Sequence, residues 1–296
     1  MNDSLIFWRA IHFLATLQAA GVIFFRIFIL RVQGMPLLQR TLARIFWASL
    51  AVTFVSGLCW FLAIAASISD TSFAAAISNG TAVMLLTMQF GMAWLLRGCA
   101  SVSLAIIEVA PKRANAFLKL LTIALAVVLV GGLAFGGHAA SEPGLPGDIH
   151  LVADVLHLMA ASVWLGGLLP YALYLQMLEK EISSQSIGRS GDITERFSNA
   201  ATTAVLLIAA TGLINAANLV GSVELLFSSS YGRLLLLKLV FFSMMIVIAG
   251  INRFVLMPQR LRRNAIAAIR RNALIEAALG VVVIAIVGIL GTMAPA

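Results

Sequence analysis

Apolar runs, each longer than the roughly 20 residues a helix needs to cross the hydrocarbon of a bilayer, recur eight times along the chain. They fall near residues 5–30, 42–67, 81–107, 118–138, 150–176, 198–220, 233–254 and 272–293. In lipid a backbone must satisfy its own hydrogen bonds within a helix or a closed barrel, and runs of this length select the helix. Only 11% of the residues are charged, less than half the about 25% usual for a soluble domain. The sequence therefore reads as an all-α, polytopic transmembrane bundle of about eight helices, one domain over residues 1–296. The first run carries Arg9, His12, Gln18 and Arg26, is too long for a signal-peptide core and shows no small-residue cleavage site, so it is expected to remain as span 1.

A net charge of +8 would suggest nucleic acid in a soluble protein, but here the basic residues gather in short segments between apolar runs. Residues 31–44 hold Arg31, Arg40 and Arg44; residues 97–119 hold Arg97, Lys112, Arg113 and Lys119; residues 177–197 hold Lys180, Arg189 and Arg196; the last such segment holds Arg253, Arg260, Arg262, Arg263, Arg270 and Arg271. The alternate loops hold no Lys or Arg over 68–80, 139–149 and 221–232, and carry Asp70, Glu142, Asp148 and Glu224. The positive-inside rule makes the basic loops cytoplasmic and puts both termini outside.

Several machines have no signature. No GxxxxGK[ST] phosphate loop supports ATP-driven pumping, and neither C-x-x-C nor H-E-x-x-H occurs. Cys59 and Cys99 fall near opposite ends of their spans, too far apart for a bridge. Gly131-Gly132 and Gly136-Gly137 lack the strand context of a dinucleotide site. No heptad run, low-complexity tract or internal repeat stands out.

All four histidines map to the outer side. His138 ends span 4 and His150 opens span 5; His157 lies seven residues deeper, about 10 Å by helical rise, and His12 reaches a similar depth in span 1. His150, Asp154 and His157 occupy i, i+4 and i+7 and so share one helical face. A charged Asp in mid-membrane costs about 2.5–3.5 kcal/mol on insertion scales, so Asp154 needs a partner, which a histidine or a bound cation can supply. Neutral imidazole with a neighbouring carboxylate is a common metal-binding pair, and such N/O ligands suit Cu(II), Zn(II) or Ni(II) without choosing among them. Met84, Met88 and Met92 follow at i, i+4 and i+8 in span 3; thioethers favour Cu(I) along a conduction path, and the same stripe serves equally as core packing. Asn215 and Asn218 in span 6, with Gln89 in span 3, can line a cavity or bond between helices.

The stretch from His157 to Pro170, HLMAASVWLGGLLP, closely resembles the signature of the copper resistance protein D family. Gly137-His138-Ala139, Arg196-Phe197-Ser198, Thr211-Gly212, Tyr231-Gly232, Lys238, Asn252-Arg253, and Arg271 with Glu276 follow that family's pattern in order, reaching His138 and His157 most firmly. The resemblance implies an inner-membrane, multi-pass protein that handles copper and is no enzyme. It also implies a separate small periplasmic copper-binding partner of the CopC type, with lipid as its other contact.

Three functions are consistent with these residues. The first is a copper permease in which His138 and His150 receive the ion and His157, His12 and Asp154 hold it deeper, on its way toward the cytoplasm. The second is a b-type haem electron carrier or metal reductase with His12 and His157 as axial ligands. The third is a docking platform that passes copper on without transport.

Overall fold

The computed structural model describes residues 2–31, 35–110, 115–137, 144–180, 184–259 and 262–295, with the side chains of all but 2 and 184–192. Eight helices among the described residues are long and apolar enough to cross a membrane. The helices are α1 (Asn2–Phe24, extended by a π-turn to Leu30), α2 (Pro36–Ser69), the short α3 (Phe73–Ser78) and α4 (Thr81–Leu86), α5 (Gln89–Val109) and α6 (Ala116–Gly131). They continue as α7 (Gly144–Lys180), α8 (Ser184–Leu219), the short α9 (Val223–Ser228), α10 (Ser230–Gly250, extended by a π-turn to Leu256) and α11 (Arg263–Leu290). Gly137, at the end of the described segment, directly precedes His138, which with Glu142, Lys112, Arg113 and Arg260 lies outside the described residues.

The expected third span breaks in two. Gly80 adopts φ +81° before α4, and Met88 is extended (ψ 162°) ahead of α5. The crossing helix therefore starts at Gln89 instead of residue 81. This shift carries Arg97 from the loop where charge counting puts it into mid-helix, where it is 4% exposed. At the other end of the count, α7 begins at Gly144, so His150 sits more than a turn inside the helix and is buried. Pro146 is tolerated there because first-turn N–H groups have no intrahelical partner.

Two long helices, α1 and α7, cross at the centre of the bundle. They touch backbone to backbone: a Cβ on Gly21 would overlap Gly166, and a Cβ on Gly166 would overlap the Leu17 carbonyl. Gln18 Nε2 donates to the Gly166 carbonyl at 2.9 Å and fixes the register. Around this crossing the two halves of the chain repeat each other. Gly21 lies nine residues after His12, and Gly166 nine after His157. Gly288 of α11 packs on Ala10, two residues before His12, while Gly131 of α6 packs on Val155, two before His157. Gly91 and Gly232, each six residues ahead of a cation (Arg97, Lys238), press against Leu85–Leu86 of α4 and Leu225–Leu226 of α9. With four crossings in each half, these matched contacts recur with both halves running in one direction, as in parallel transporter repeats. The repeat, unseen in the sequence, is therefore present.

Toward the arginine-rich end a large apolar cluster gathers Phe25, Phe46, Trp164, Tyr171 and Phe197, with Tyr171 stacked on Phe197 at 4.3 Å. Arg26–Glu108 and Arg270–Glu179 pair at 3.0 Å on its margin.

Because backbone has no way to yield at the central crossing, Gly166→Val is expected to destabilise the bundle by at least the about 1–3 kcal/mol typical of overpacking. Thermal unfolding in detergent measures this; an unchanged midpoint contradicts the crossing.

Candidate functional site

In the first half the imidazole is sealed. Gly57 on α2 leaves the gap that the His12 ring fills, the position of a Cβ there lying 2.9 Å from Cε1. His12 Nδ1 donates to the Thr53 carbonyl at 3.0 Å, with Ser56 Oγ 3.1 Å away. Its Nε2 accepts from Arg97 Nη2 at 2.6 Å. The Arg97 fork is held further by the Leu129 carbonyl at 2.9 Å and Thr16 Oγ1 at 3.4 Å. Trp60 covers the ring at 5.4 Å between centroids. Both nitrogens of His12 are thus occupied, and a guanidinium sits where an ion would bind.

The second half repeats the first contact and leaves the other side open. Gly212 on α8 faces the His157 ring, the position of a Cβ lying 3.6 Å from Cε1. Thr211 Oγ1 donates to the Leu207 carbonyl at 2.6 Å, so it accepts from His157 Nδ1 at 3.0 Å. That leaves the lone pair on Nε2, which has no hydrogen-bond partner among the described residues. His157 lines a cavity of about 530 Å³ whose walls come from α1, α7, α8, α10 and α11. His150, Asp154, Asn215, Arg9, Tyr231 and Lys238 also line it.

The polar groups of this cavity sit among mostly apolar walls. Asp154 Oδ1 accepts from Asn215 Nδ2 at 3.2 Å, while Asn215 Oδ1 is buried and unpartnered. His150, Lys238 and Arg9 are the cationic or ionisable groups closest in effect to the Asp154 carboxylate. Arg9 is turned toward the outer rim, where Nη1 donates to the Gly291 carbonyl at 2.8 Å and the guanidinium lies over Phe13 and Trp60. Arg9 and Lys238 thus share the cavity with this one carboxylate. No cluster of three or more His, Cys, Asp and Glu close enough to hold a metal occurs among the described residues.

The predicted residues separate into groups. His150, Asp154, His157 and Asn215 come together in the cavity, whereas His12 stands apart behind Arg97. Met84 sits on α4, Met88 at the break and Met92 on α5, with 45%, 43% and 61% exposure on the outside of the bundle. None of the three lines the cavity, because the break after α4 ends the helical spacing that would align them. Asn218 is exposed and bonds back to the Ile214 carbonyl. Position 138 falls outside the described residues, but Gly137 lines the cavity, and a Cβ on it would lie 3.6 Å from Asp154 Oδ2.

Sequence reasoning passed over Arg97, Arg9 and Lys238 as site residues; their signal was a charge within an apolar run. It also passed over a second pocket, of about 170 Å³, below the first. Trp164 and Ile246 line both. In the lower pocket the buried Glu276 accepts from Trp164 Nε1 at 3.3 Å and Asn252 Nδ2 at 2.8 Å, and Asn272 donates to Asn252 at 2.8 Å.

Comparison with known proteins bears on this arrangement. Residues 1–148 match the family described as Copper resistance protein D-like, N-terminal domain, and residues 191–290 match Copper resistance protein D, one stretch in each half. The inner membrane protein YebZ of Escherichia coli (strain K12) is 29% identical over 291 residues, 97% of each chain. Copper resistance protein D of Pseudomonas syringae pv. tomato is 32% identical over 72% of this chain and 71% of its own. Copper transport protein CutJ of Bacillus subtilis (strain 168) is 28% identical over 93% of this chain and 50% of its own. No solved structure matches the chain. An eight-span bundle whose open histidine lies in the signature stretch, matched in both halves and along most of two relatives, is a member of the copper resistance protein D family.

Proposed function

We propose that the protein takes up copper at the cavity around His157 and passes it across the inner membrane toward the cytoplasm. The observation that carries this reading is His157 Nε2, without a hydrogen-bond partner among the described residues, in a cavity shared with Asp154 and with Asn215 Oδ1, likewise without one among them. An imidazole nitrogen and two oxygens form a donor set that suits copper among other divalent ions; membership of the family selects copper, and the names of the two copper relatives agree. The set is partial and shares its cavity with Arg9 and Lys238, which fits an ion held briefly and released. His150 adds a second imidazole to the cavity, and a periplasmic partner of the CopC type is the donor.

The orientation follows from charge. Basic residues crowd the end bearing Arg26, Lys119, Arg253 and Arg270, and the His157 cavity lies at the other end, which the positive-inside rule assigns to the periplasm together with both termini. The onward route leads past Trp164 and Ile246 to the pocket of Glu276 and Asn252. Passage requires these two side chains to turn aside, and Ile246 sits on α10, one wall of the cavity.

The haem reading asks for two axial imidazoles from facing helices. His12 spends both ring nitrogens on Arg97 and Thr53, so we take copper over haem; the purified protein is expected to show no Soret band.

His157→Ala is expected to weaken copper binding to the purified protein at least tenfold, the scale of losing a ligand or its support. His12→Ala is expected to leave copper binding within twofold while lowering stability by about 1–3 kcal/mol or more, because it orphans a buried charged donor. Chelator competition and thermal unfolding on the same samples check both, and copper binding that follows His12 instead of His157 contradicts the assignment.

A further inference from the structure

The two-fold repeat gives His157 a counterpart whose other side is filled. Thr53, Ser56 and Gly57 on α2 match Ile208, Thr211 and Gly212 on α8 at a constant offset. Ser56 Oγ and Thr211 Oγ1 each bond the carbonyl four residues back, those of Val52 and Leu207. Arg97 and Lys238 occupy the same place in their repeats, six residues after Gly91 and Gly232, whose missing side chains admit the preceding short helix. What differs is the distance between the helices that carry them. In the first half α5 is drawn onto α2, with Trp94 Nε1 donating to the Gly57 carbonyl at 3.0 Å and Trp94 packed on Phe61 at 4.7 Å. Arg97 thereby reaches His12 Nε2. In the second half α8 and α10 both line the cavity and are joined beyond it, where Arg253 Nη1 donates to Ser198 Oγ at 2.8 Å; Lys238 has no hydrogen-bond partner among the described residues.

We propose that Lys238 is a tethered competitor for the copper site: when α10 closes on α8, its ammonium takes the position on His157 Nε2 that the metal takes when the cavity is open. The first half displays the closed arrangement in permanent form. Arg97 is locked because its planar fork reaches the Leu129 carbonyl and Thr16 as well as His12. Lysine brings a point charge on a flexible stem and no fork, so the same contact made by Lys238 is reversible. An ammonium within the bilayer is driven toward an acceptor, and the acceptors in this cavity without a partner among the described residues are His157 Nε2, Asp154 Oδ2 and Asn215 Oδ1. When copper takes His157, Lys238 is displaced within the cavity that it shares with Asp154. Lys238 then sets how tightly copper is held: the apparent affinity is the intrinsic one multiplied by the open fraction. The proposal rests on His157 being the copper ligand, and its test separates the two.

The experiment uses the full chain in lipid nanodiscs, with Cu(II) affinity read by competition against nitrilotriacetate. Lys238→Met is expected to tighten binding about tenfold, as removal of a competitor that closes about nine sites in ten requires. The gain should vanish when His157→Ala is added. Lys238→Arg is expected to weaken binding at least tenfold by reproducing the lock of the first half, and it carries the test where Lys238→Met does not fold. Unchanged or same-direction effects of the two variants, with His157→Ala still weakening binding, overturn the competitor and leave the copper ligand standing. A copper-free arm decides the matter if His157→Ala changes nothing. Spin labels at Ala217→Cys and Arg233→Cys, both exposed, in a background with Cys59 and Cys99 changed to Ser, are expected to show a short distance that Lys238→Met loses and Lys238→Arg enriches. Identical distributions in all three overturn the closure.

Discussion

Two helices can approach until their backbones touch only where neither carries a side chain, and Gly21 and Gly166 provide that meeting point for α1 and α7. In lipid no hydrophobic force draws helices together, so close contact through small residues is what holds such a crossing. Everything else is arranged about it. Each central helix places a histidine nine residues before its glycine, toward the same end of the bundle, and each pairs with a partner whose Ser-Gly or Thr-Gly step receives the imidazole. The crossing thus fixes both histidines at one depth while keeping them on separate sides of it. His12 accordingly bonds Arg97, while His157 lines the cavity.

The halves then diverge by one choice of cation and one choice of helix spacing. Arg97, Trp94 and Phe61 make the first half a packed wall in which every nitrogen of His12 is bonded. Asp154, Asn215 and Lys238 make the second a cavity with acceptors that lack a partner among the described residues. A buried ion pair adds little net stability because desolvation offsets the attraction, yet removing one member leaves a costly orphan. The first half has the character of scaffold and the second of site. Trp164 is a wall common to both cavities.

Much of this was legible in the sequence. Hydropathy located all eight crossings, since nothing competes with the need to bury that many consecutive apolar residues, and the i, i+4, i+7 spacing put His150, Asp154 and His157 on one face, where they line one cavity. Local propensity misled where glycines and short helices intervene. The run through residues 81–107 hides the turn at Gly80 and the break at Met88, and with them the depth of Arg97 and the dispersal of Met84, Met88 and Met92. The repeat was hidden for a different reason. His12 and His157 are separated by 145 positions, Gly57 and Gly212 by 155, and Arg97 and Lys238 by 141, so no single period exists and few identities survive. Packing keeps such a repeat because it conserves only the glycines, the hydroxyls and the imidazoles where helices touch. The separation of His12 from His157 by α1 and α7 themselves is a three-dimensional fact with no trace in spacing.

The claim on which the account turns is that the second half, and only the second, offers its histidine to copper. Diffraction from copper-loaded protein at the copper absorption edge tests it most directly. The account predicts an anomalous peak within bonding distance of His157 Nε2, on the side of Asp154 and Asn215, and no peak at His12. A peak at His12 with Arg97 displaced, or one confined to Met84, Met88 and Met92 on the outer face, would contradict it.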